Sequence, residues 1–421
     1  MVIVHLMGKA MLRKKAFCLL MAVSAFFGLM ACHAQRPLRK KAFCLLMAVS
    51  AFFGLMACHA QRPAESAAHE QQDSSASLGK SMQLKHIAEF NEPWALAVLP
   101  DGRLLITERS GQLILFNPID QTKTLIRNIP KVAYGGQGGL GDIVLHPEFA
   151  QNHQIYLSYA EAGQGGYGAV VIRADLNLDQ AQPQLDNLKT IWKQVPKVRG
   201  QGHYAHRILL DGAGKLWISS GERQKFEPAQ DLTSNLGKMI RLNDDGSVAS
   251  DNPFQMQGDA AKQIWSLGHR NPLGMALDAK KQLWVVEMGP KGGDELNLIQ
   301  KAKNYGYPIV SNGDHYSGVN IPDYATRPEF EAPKLDWTPV ISPSSLIFYT
   351  GQMFPKWQDK AIIGGLSSKV LIIVDTTAQP VKEIQRIDMK ERIRGVQQAK
   401  DGSIWVIEDG KHADLIQLLS H

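Results

Sequence analysis

RILLDGAGKLWIS, residues 207–219, sets an apolar run, an Asp-Gly turn and a second apolar run end to end. Short runs rich in β-branched and aromatic side chains, joined by such a turn, form a β-hairpin. The phrase returns as WALAVLPDGRLLIT (94–107), GDIVLHPEFAQNHQIYLSY (141–159), GMALDAKKQLWVV (274–286), SLIFYTGQMFPKWQDKAIIG (345–364) and GVQQAKDGSIWVI (395–407). Six copies, spaced widely enough for four strands each, predict an all-β chain folded as one six-bladed β-propeller over 84–421. A pair of β-sandwiches would supply many strands but not one turn phrase six times.

Ahead of this region the composition changes. Residues 12–37, LRKKAFCLLMAVSAFFGLMACHAQRP, are repeated without change as residues 38–63. Each copy has a basic start, an apolar middle and a small-residue end, which is the layout of a secretory signal. Leu-Met-Ala-Cys closes each apolar stretch in the manner of a bacterial lipoprotein box, with Cys58 or Cys32 as the lipid-bearing residue and cleavage after Ala60 as the alternative. Residues 1–63 are therefore read as a duplicated signal segment and 64–83 as a flexible polar tether. This predicts a cell-envelope location, periplasmic or anchored to the outer membrane through a lipid.

The formal charge of +6 suggests a nucleic-acid partner until its distribution is examined. Eight of the positive charges, and no acid, lie in residues 1–57. The rest of the chain is slightly acidic, which removes the case for nucleic acid or an anionic membrane surface. Cys18, Cys32, Cys44 and Cys58 are the only cysteines, so the globular part owes nothing to disulfides or thiol chemistry.

In a propeller the innermost strand of each blade starts near the axis, so residues just ahead of equivalent strands converge on one mouth. Counting eight back from the turn acids Asp211, Asp278 and Asp401 lands on His203, Arg270 and Ile393, the last flanked by Arg392 and Arg394. Asn271 and Gln137 join the same ring. Arginine forks around one opening suit a flat, multiply anionic ligand, because each fork grips a carboxylate through two bonds. His203 is the ring member suited to take a proton near neutral pH, and Glu222, in SSGER, is placed to hold its far nitrogen. His206 reads as structural. The stretch EMGPKGGDELNLIQKAKNYGYP (287–308) adds a Gly- and Pro-rich loop with the acidic pair Asp294-Glu295, a composition that suits calcium.

At these residues the chain resembles the soluble pyrroloquinoline-quinone-dependent glucose and aldose sugar dehydrogenases, the glucose/sorbosone dehydrogenase family. The resemblance spans essentially all of 84–421, through GQGGLGDIVLHPEF, HYAHR, GHRNPLGMA, GPKGGDELNLI, NYGYP, YSG and RIR. It implies a quinone lying flat over the axial mouth and His203 taking the proton of a sugar's anomeric hydroxyl while hydride passes to the quinone. It implies cofactor contacts at Gln137, Arg270, Asn271, Tyr316, Arg392 and Arg394, with Ile393 grouped beside them. It implies a calcium ion on the carbonyls of Gly289 and Pro290, and a second, structural one at Glu295 and the backbone of Tyr305. The cofactor contact at Gly365-Leu366-Ser367 departs from the family, which often carries a lysine there; the nearest here is Lys369. The implied partners are an aldose, which becomes an aldonolactone, and an external electron acceptor, the chain being a monomer or homodimer. Two rivals share the fold: a calcium-dependent lactonase, and a non-catalytic surface propeller binding glycans or proteins.

Overall fold

The computed structural model describes residues 82–420. The signal and tether assignments up to residue 81, with all four cysteines, lie outside the described residues. Among the described residues there are six four-stranded antiparallel sheets, and five of them pair their strands in the order in which the chain makes them. The innermost strands are Pro93–Val98, Leu140–Leu145, Ala205–Leu210, Pro272–Leu277, Pro343–Phe348 and Ile393–Gln398. Each packs against the next and the last against the first, so the sheets are the six blades of a β-propeller.

The sixth blade is made from both ends of the described chain. Ile393–Gln398, Ile404–Glu408 and Ala413–Ser420 are completed by Met82–Phe90, which pairs with the last strand from Met82 opposite Ser420 to Phe90 opposite Ala413. This strand begins inside the segment read as tether. It sits on an outer edge with Gln83, Leu84, Lys85 and His86 exposed, so its sequence lacks the apolar run that marks the other blades.

Strands second from the axis are covered on both faces, which explains their unbroken apolar runs. Leu104–Glu108, Leu283–Glu287, Ala361–Gly365 and Ile404–Glu408 are buried at every residue. The turns that precede them need a left-handed residue, supplied by Gly102, Gly212 and Gly402 in three blades and by His153, Lys281 and Asp359 in the others. The Asp-Gly phrase is therefore blurred in half of its copies.

All six innermost strands carry a register shift near their start, between Pro93 and Ala95 in the first blade and between Ile393 and Gly395 in the last. A bulge bends a strand and re-aims the side chains beside it. Here it turns the leading residues of every blade toward one end of the axis.

Arg207 lies at the centre of that end. Its Nε donates to the Leu273 carbonyl at 2.6 Å, one terminal nitrogen to Asp142 Oδ1 at 3.0 Å, and the other to the carbonyls of Ser344 at 2.6 Å and Arg394 at 3.4 Å. The guanidinium carbon stands 3.9 Å from the centre of the Trp94 ring. One side chain of the third blade thus touches all five others. Beyond it the innermost strands of the six blades enclose an axial cavity of about 340 Å³.

Removing one partner of a buried, hydrogen-bonded ion pair strands the other, at a cost of about 3–5 kcal/mol. Arg207→Met should lower the unfolding free energy by about that amount in denaturant titration. A loss below about 1 kcal/mol, the scale of an exposed ion pair, would show that the axis does not depend on this contact.

Candidate active site

The bulged strand starts open into two cavities. The axial one, of about 420 Å³, is lined by Gln137, Asn271, Leu366, Arg392, Arg394 and Asp409, among others. Arg392 immediately precedes the sixth blade's inner strand and Arg394 lies within it, and both line this cavity. Ile393 between them is 0 % exposed and packs in the apolar core. Its place on the count from the turn acid is therefore right for the strand start and wrong for the face, and it contributes no side chain to the mouth.

Both arginines are held by a residue that the count does not find. Asp409 Oδ2 accepts Arg392 Nε at 2.8 Å, while Oδ1 accepts Arg394 Nε at 2.8 Å and NH2 at 2.6 Å. Burial works to raise the Asp409 carboxyl, but Arg394 and Arg392 outweigh it and hold the group below its ordinary value. The hairpin register contains the signal, since Ile393 pairs with Glu408 and the next residue must stand beside the strand start. Arg109 and Glu92 line the same cavity and form an ion pair at 3.4 Å.

The second cavity, of about 450 Å³, shares Gln137, Met288 and Ser342 with the first and adds His203, Glu222, Arg270, Gly289, Pro290 and Tyr316. His203 is held on two sides. Its backbone N–H donates to Gln137 Oε1 at 2.7 Å, and its Nδ1 is hydrogen-bonded to Glu222 Oε1. Glu222 Oε2 accepts the backbone N–H groups of Lys225 and Phe226. Burial raises the Glu222 carboxyl, but His203 and these amides outweigh it and keep the group below its ordinary value. An ionised carboxylate only accepts, so Nδ1 carries the proton and Nε2 keeps its lone pair. Burial first, with Arg270 and Arg223 adding to it, lowers the His203 pKa against the pull of Glu222.

Arg270 donates to the carbonyls of Met288 at 3.0 Å and Gly289 at 2.7 Å, and its backbone N–H to Glu287. Its Nε and the Asn271 Oδ1 are buried without a partner. Unpaired buried polar atoms are rare, and two on adjacent residues beside a cavity fit a ligand that completes them. Tyr316 is 74 % exposed and stands with its ring 6.0 Å from the Arg270 guanidinium. Of Gly365-Leu366-Ser367, only Leu366 lines the axial cavity. Gly365 ends a buried strand, Ser367 Oγ donates to Ser342 Oγ at 2.8 Å, and Lys369 pairs with Glu391 at 3.3 Å instead of reaching the mouth.

The 287–308 loop is tied more closely than a solvated turn. Asp294 accepts the backbone N–H groups of Gly289, Ile341 and Ser342, and burial pushes its carboxyl up to about 6. Glu295 faces away from the cavities. It accepts Asn297 at 2.9 Å and meets the Tyr324 hydroxyl at 3.0 Å, and that hydroxyl also lies 2.5 Å from the Tyr305 carbonyl. Burial, then the charge of Glu287, raises Glu295 well above its ordinary value. Asn297 Oδ1 is buried there without a donor. Tyr324 has no motif around it, and Asn297, although inside the Gly-rich stretch, shows its place beside Glu295 only when the chain is folded.

His206, three residues from His203, is a different case. It is buried, hydrogen-bonded to Ser158 Oγ at 2.7 Å and stacked on Trp94 at 4.9 Å, and burial drives its pKa down to about 3. It is a neutral core histidine.

A propeller with paired arginines in its axial mouth and a carboxylate-held histidine at the side has the layout of an oxidoreductase for a flat anionic cofactor. The model of the glucose/sorbosone dehydrogenase family matches residues 90–417. The chain belongs to that family and is an enzyme. It is 38% identical over 338 residues to aldose sugar dehydrogenase YliI of Escherichia coli K12, covering 78% of this chain and 90% of that one. Among solved structures it is similar to the apo-form of soluble aldose sugar dehydrogenase from Escherichia coli, with a TM-score of 0.76 and 37% identity over 81% of this chain and 100% of that one. It is also similar to the PQQ-bound form of aldose sugar dehydrogenase from Streptomyces coelicolor, with a TM-score of 0.67 and 26% identity over 81% of this chain and 98% of that one.

The state of His206 has a measurable consequence. Its folded pKa lies below its unfolded value, so both states are neutral above pH 6.5 and only the unfolded chain gains the proton below it. Stability is therefore lost as pH falls from about 6.5 toward 3. Between pH 6.5 and 4.5 the wild type should lose about 2 kcal/mol more than His206→Asn. Parallel stability curves for the two proteins would refute the assignment.

Proposed function

We propose that this enzyme oxidises the anomeric carbon of aldose sugars to aldonolactones, with pyrroloquinoline quinone and calcium as cofactors. The observation that carries the proposal is His203, whose Nε2 is left as a free acceptor by the Glu222 bond. When bound, the quinone supplies the hydride acceptor and the calcium a Lewis acid that polarises it.

The residues fit these groups. Arg392 and Arg394 turn their Nε edges to Asp409, and the rest of each fork is available to carboxylates at the mouth. The unpaired Arg270 Nε and Asn271 Oδ1 are a donor and an acceptor for the same ligand. Among the described residues no three His, Cys, Asp or Glu side chains gather at one point, so a cation would rest largely on carbonyls. Gly289 and Pro290 would hold one calcium ion. Glu295, the Tyr305 carbonyl and Asn297 Oδ1 would hold another, where the single Tyr324 proton cannot serve both oxygens facing it.

In this reading His203 takes the proton of the anomeric hydroxyl on Nε2 as hydride leaves the same carbon. Glu222 fixes the tautomer and stabilises the imidazolium that forms. Gln137 holds the His203 backbone, and the rim of Phe226, Tyr307 and Tyr316 offers aromatic faces to a sugar ring. Electrons then pass to an acceptor outside the chain, since the sequence has no CxxCH haem site. The duplicated leader and tether would place the reaction in the cell envelope.

The test is dye reduction by the purified chain with glucose and other aldoses, before and after adding the quinone and calcium. Reduction should need both additions. His203→Ala should lose at least about 10²-fold in turnover, as removal of a general base does, while quinone uptake stays near normal. The acid limb of kcat/KM should lie below the ordinary histidine range, following the lowered His203 pKa. Turnover that survives thorough calcium removal or the loss of His203 would overturn the proposal.

A further inference from the structure

The SSGER stretch contains a second charged residue that the proposed chemistry does not use. Arg223 is 1 % exposed, and among the described residues it makes no ion pair. Its guanidinium is spent on neutral acceptors: Nε to the Gly202 carbonyl at 2.8 Å, NH1 to the Tyr167 carbonyl at 2.7 Å and Gln194 Oε1 at 3.4 Å, and NH2 to the Gly200 carbonyl at 2.7 Å. Its face lies 3.6 Å from the centre of the Tyr204 ring. Its backbone N–H donates to the His203 carbonyl at 3.3 Å. A buried cation without a carboxylate is an expensive way to brace a loop, and the loop braced here is the one that carries His203.

That loop needs bracing. His203, Ala205 and His206 in one segment, and Arg223, Gln224 and Phe226 in the other, all have φ between 45° and 63°. Six non-glycine residues in the left-handed region, in two short segments, persist only where the surroundings over-determine them. The segments press together with no room to spare. A Cβ on Gly221 would stand 2.0 Å from the His203 carbonyl oxygen, and one on Gly202 2.4 Å from Gln224 Oε1. Gln194 braces the second segment, meeting Arg223 through Oε1 and donating through Nε2 to Ser220 and the Gly221 carbonyl.

We propose that Arg223 is a positioning residue that clamps the carbonyls of the 200–203 loop and so holds His203 against Glu222. The inference rests on His203 being the base, and it assigns the clamp to the planar fork, not to the charge. Lysine would restore the charge but present no fork to carbonyls from three directions.

The experiment compares wild type, Arg223→Lys and Arg223→Met in two ways. The first is turnover per bound quinone in the calcium-loaded holoenzyme, with KM for the sugar. The second is the proton spectrum of the protein without quinone, where a buried imidazole-to-carboxylate bond gives a downfield N–H signal, assigned to His203 by its absence in Glu222→Gln. Both variants should bind quinone within about threefold of wild type, lose at least tenfold in kcat and lose the downfield signal, since small misplacements of a reacting group are costly. Full turnover in Arg223→Lys would show that charge alone suffices and would overturn the clamp. So would an unchanged downfield signal in both variants. If Arg223→Met does not fold, Arg223→Lys alone decides by the same two readouts. A wild type that takes up quinone but oxidises no aldose would refute the proposed function, and the proton spectrum would still decide the role of Arg223.

Discussion

The guanidinium of Arg207 is the contact on which the rest of this propeller depends. A closed ring of six sheets has no strand at its axis, so the inner strands meet only through what they project or accept there. Arg207 has five donors in a plane and an apolar face, and it finds acceptors on four neighbouring blades and an indole on the fifth. Lysine has the charge but not the plane, and could not serve the same directions at once. The Asp142 carboxylate completes the arrangement by accepting both Arg207 and the Ile208 amide. Burial pulls both groups toward neutrality, and their mutual contact opposes it.

The constraint extends from the axis to the site because the residues are consecutive. HYAHR places His203 four residues before Arg207 and His206 next to it. The bulge at Ala205 to Ile208 sends the first toward the side cavity, the second under Trp94 and the third into the axis. Five residues thus contain the proposed base, a neutral core histidine and the clamp of the whole ring. The mouth above is also less positive than its arginines suggest. Asp409 sets one negative charge against two positive ones, and Glu92 faces Arg109 in the same wall. Pairing of this kind fixes the direction of a fork and leaves part of it free, which suits recognition of a shaped anion over indiscriminate attraction.

What the sequence shows and what it hides divide along one physical line. The blades are legible because a hairpin is local: two apolar runs and a turn lie within one short stretch. His203, Gln137, Arg270 and the arginine pair are legible because blade equivalence converts sequence offset into position at the mouth. Asp409, Arg223 and Tyr324 are not, since their partners are backbone carbonyls or side chains from other segments. Ile393 shows the limit of the offset argument, which gives a place along a strand but not the face. The closing strand at Met82–Phe90 was hidden for a similar reason, because an outer edge strand half in water carries little apolar pattern.

His203 and His206 show why residue type alone could not settle the chemistry. Both are imidazoles with left-handed backbones, and burial lowers the proton affinity of both. The difference lies in the second nitrogen's partner. His206 meets a serine hydroxyl and an indole face, neither of which stabilises a positive charge strongly, so it stays neutral through the ordinary pH range. His203 meets a carboxylate that is itself held ionised by two amides, and it can accept a proton on the nitrogen facing the cavity and keep the resulting charge paired. A base must be neutral at rest and stabilised when charged. Burial supplies the first condition and Glu222 the second, and only one of the two histidines has both.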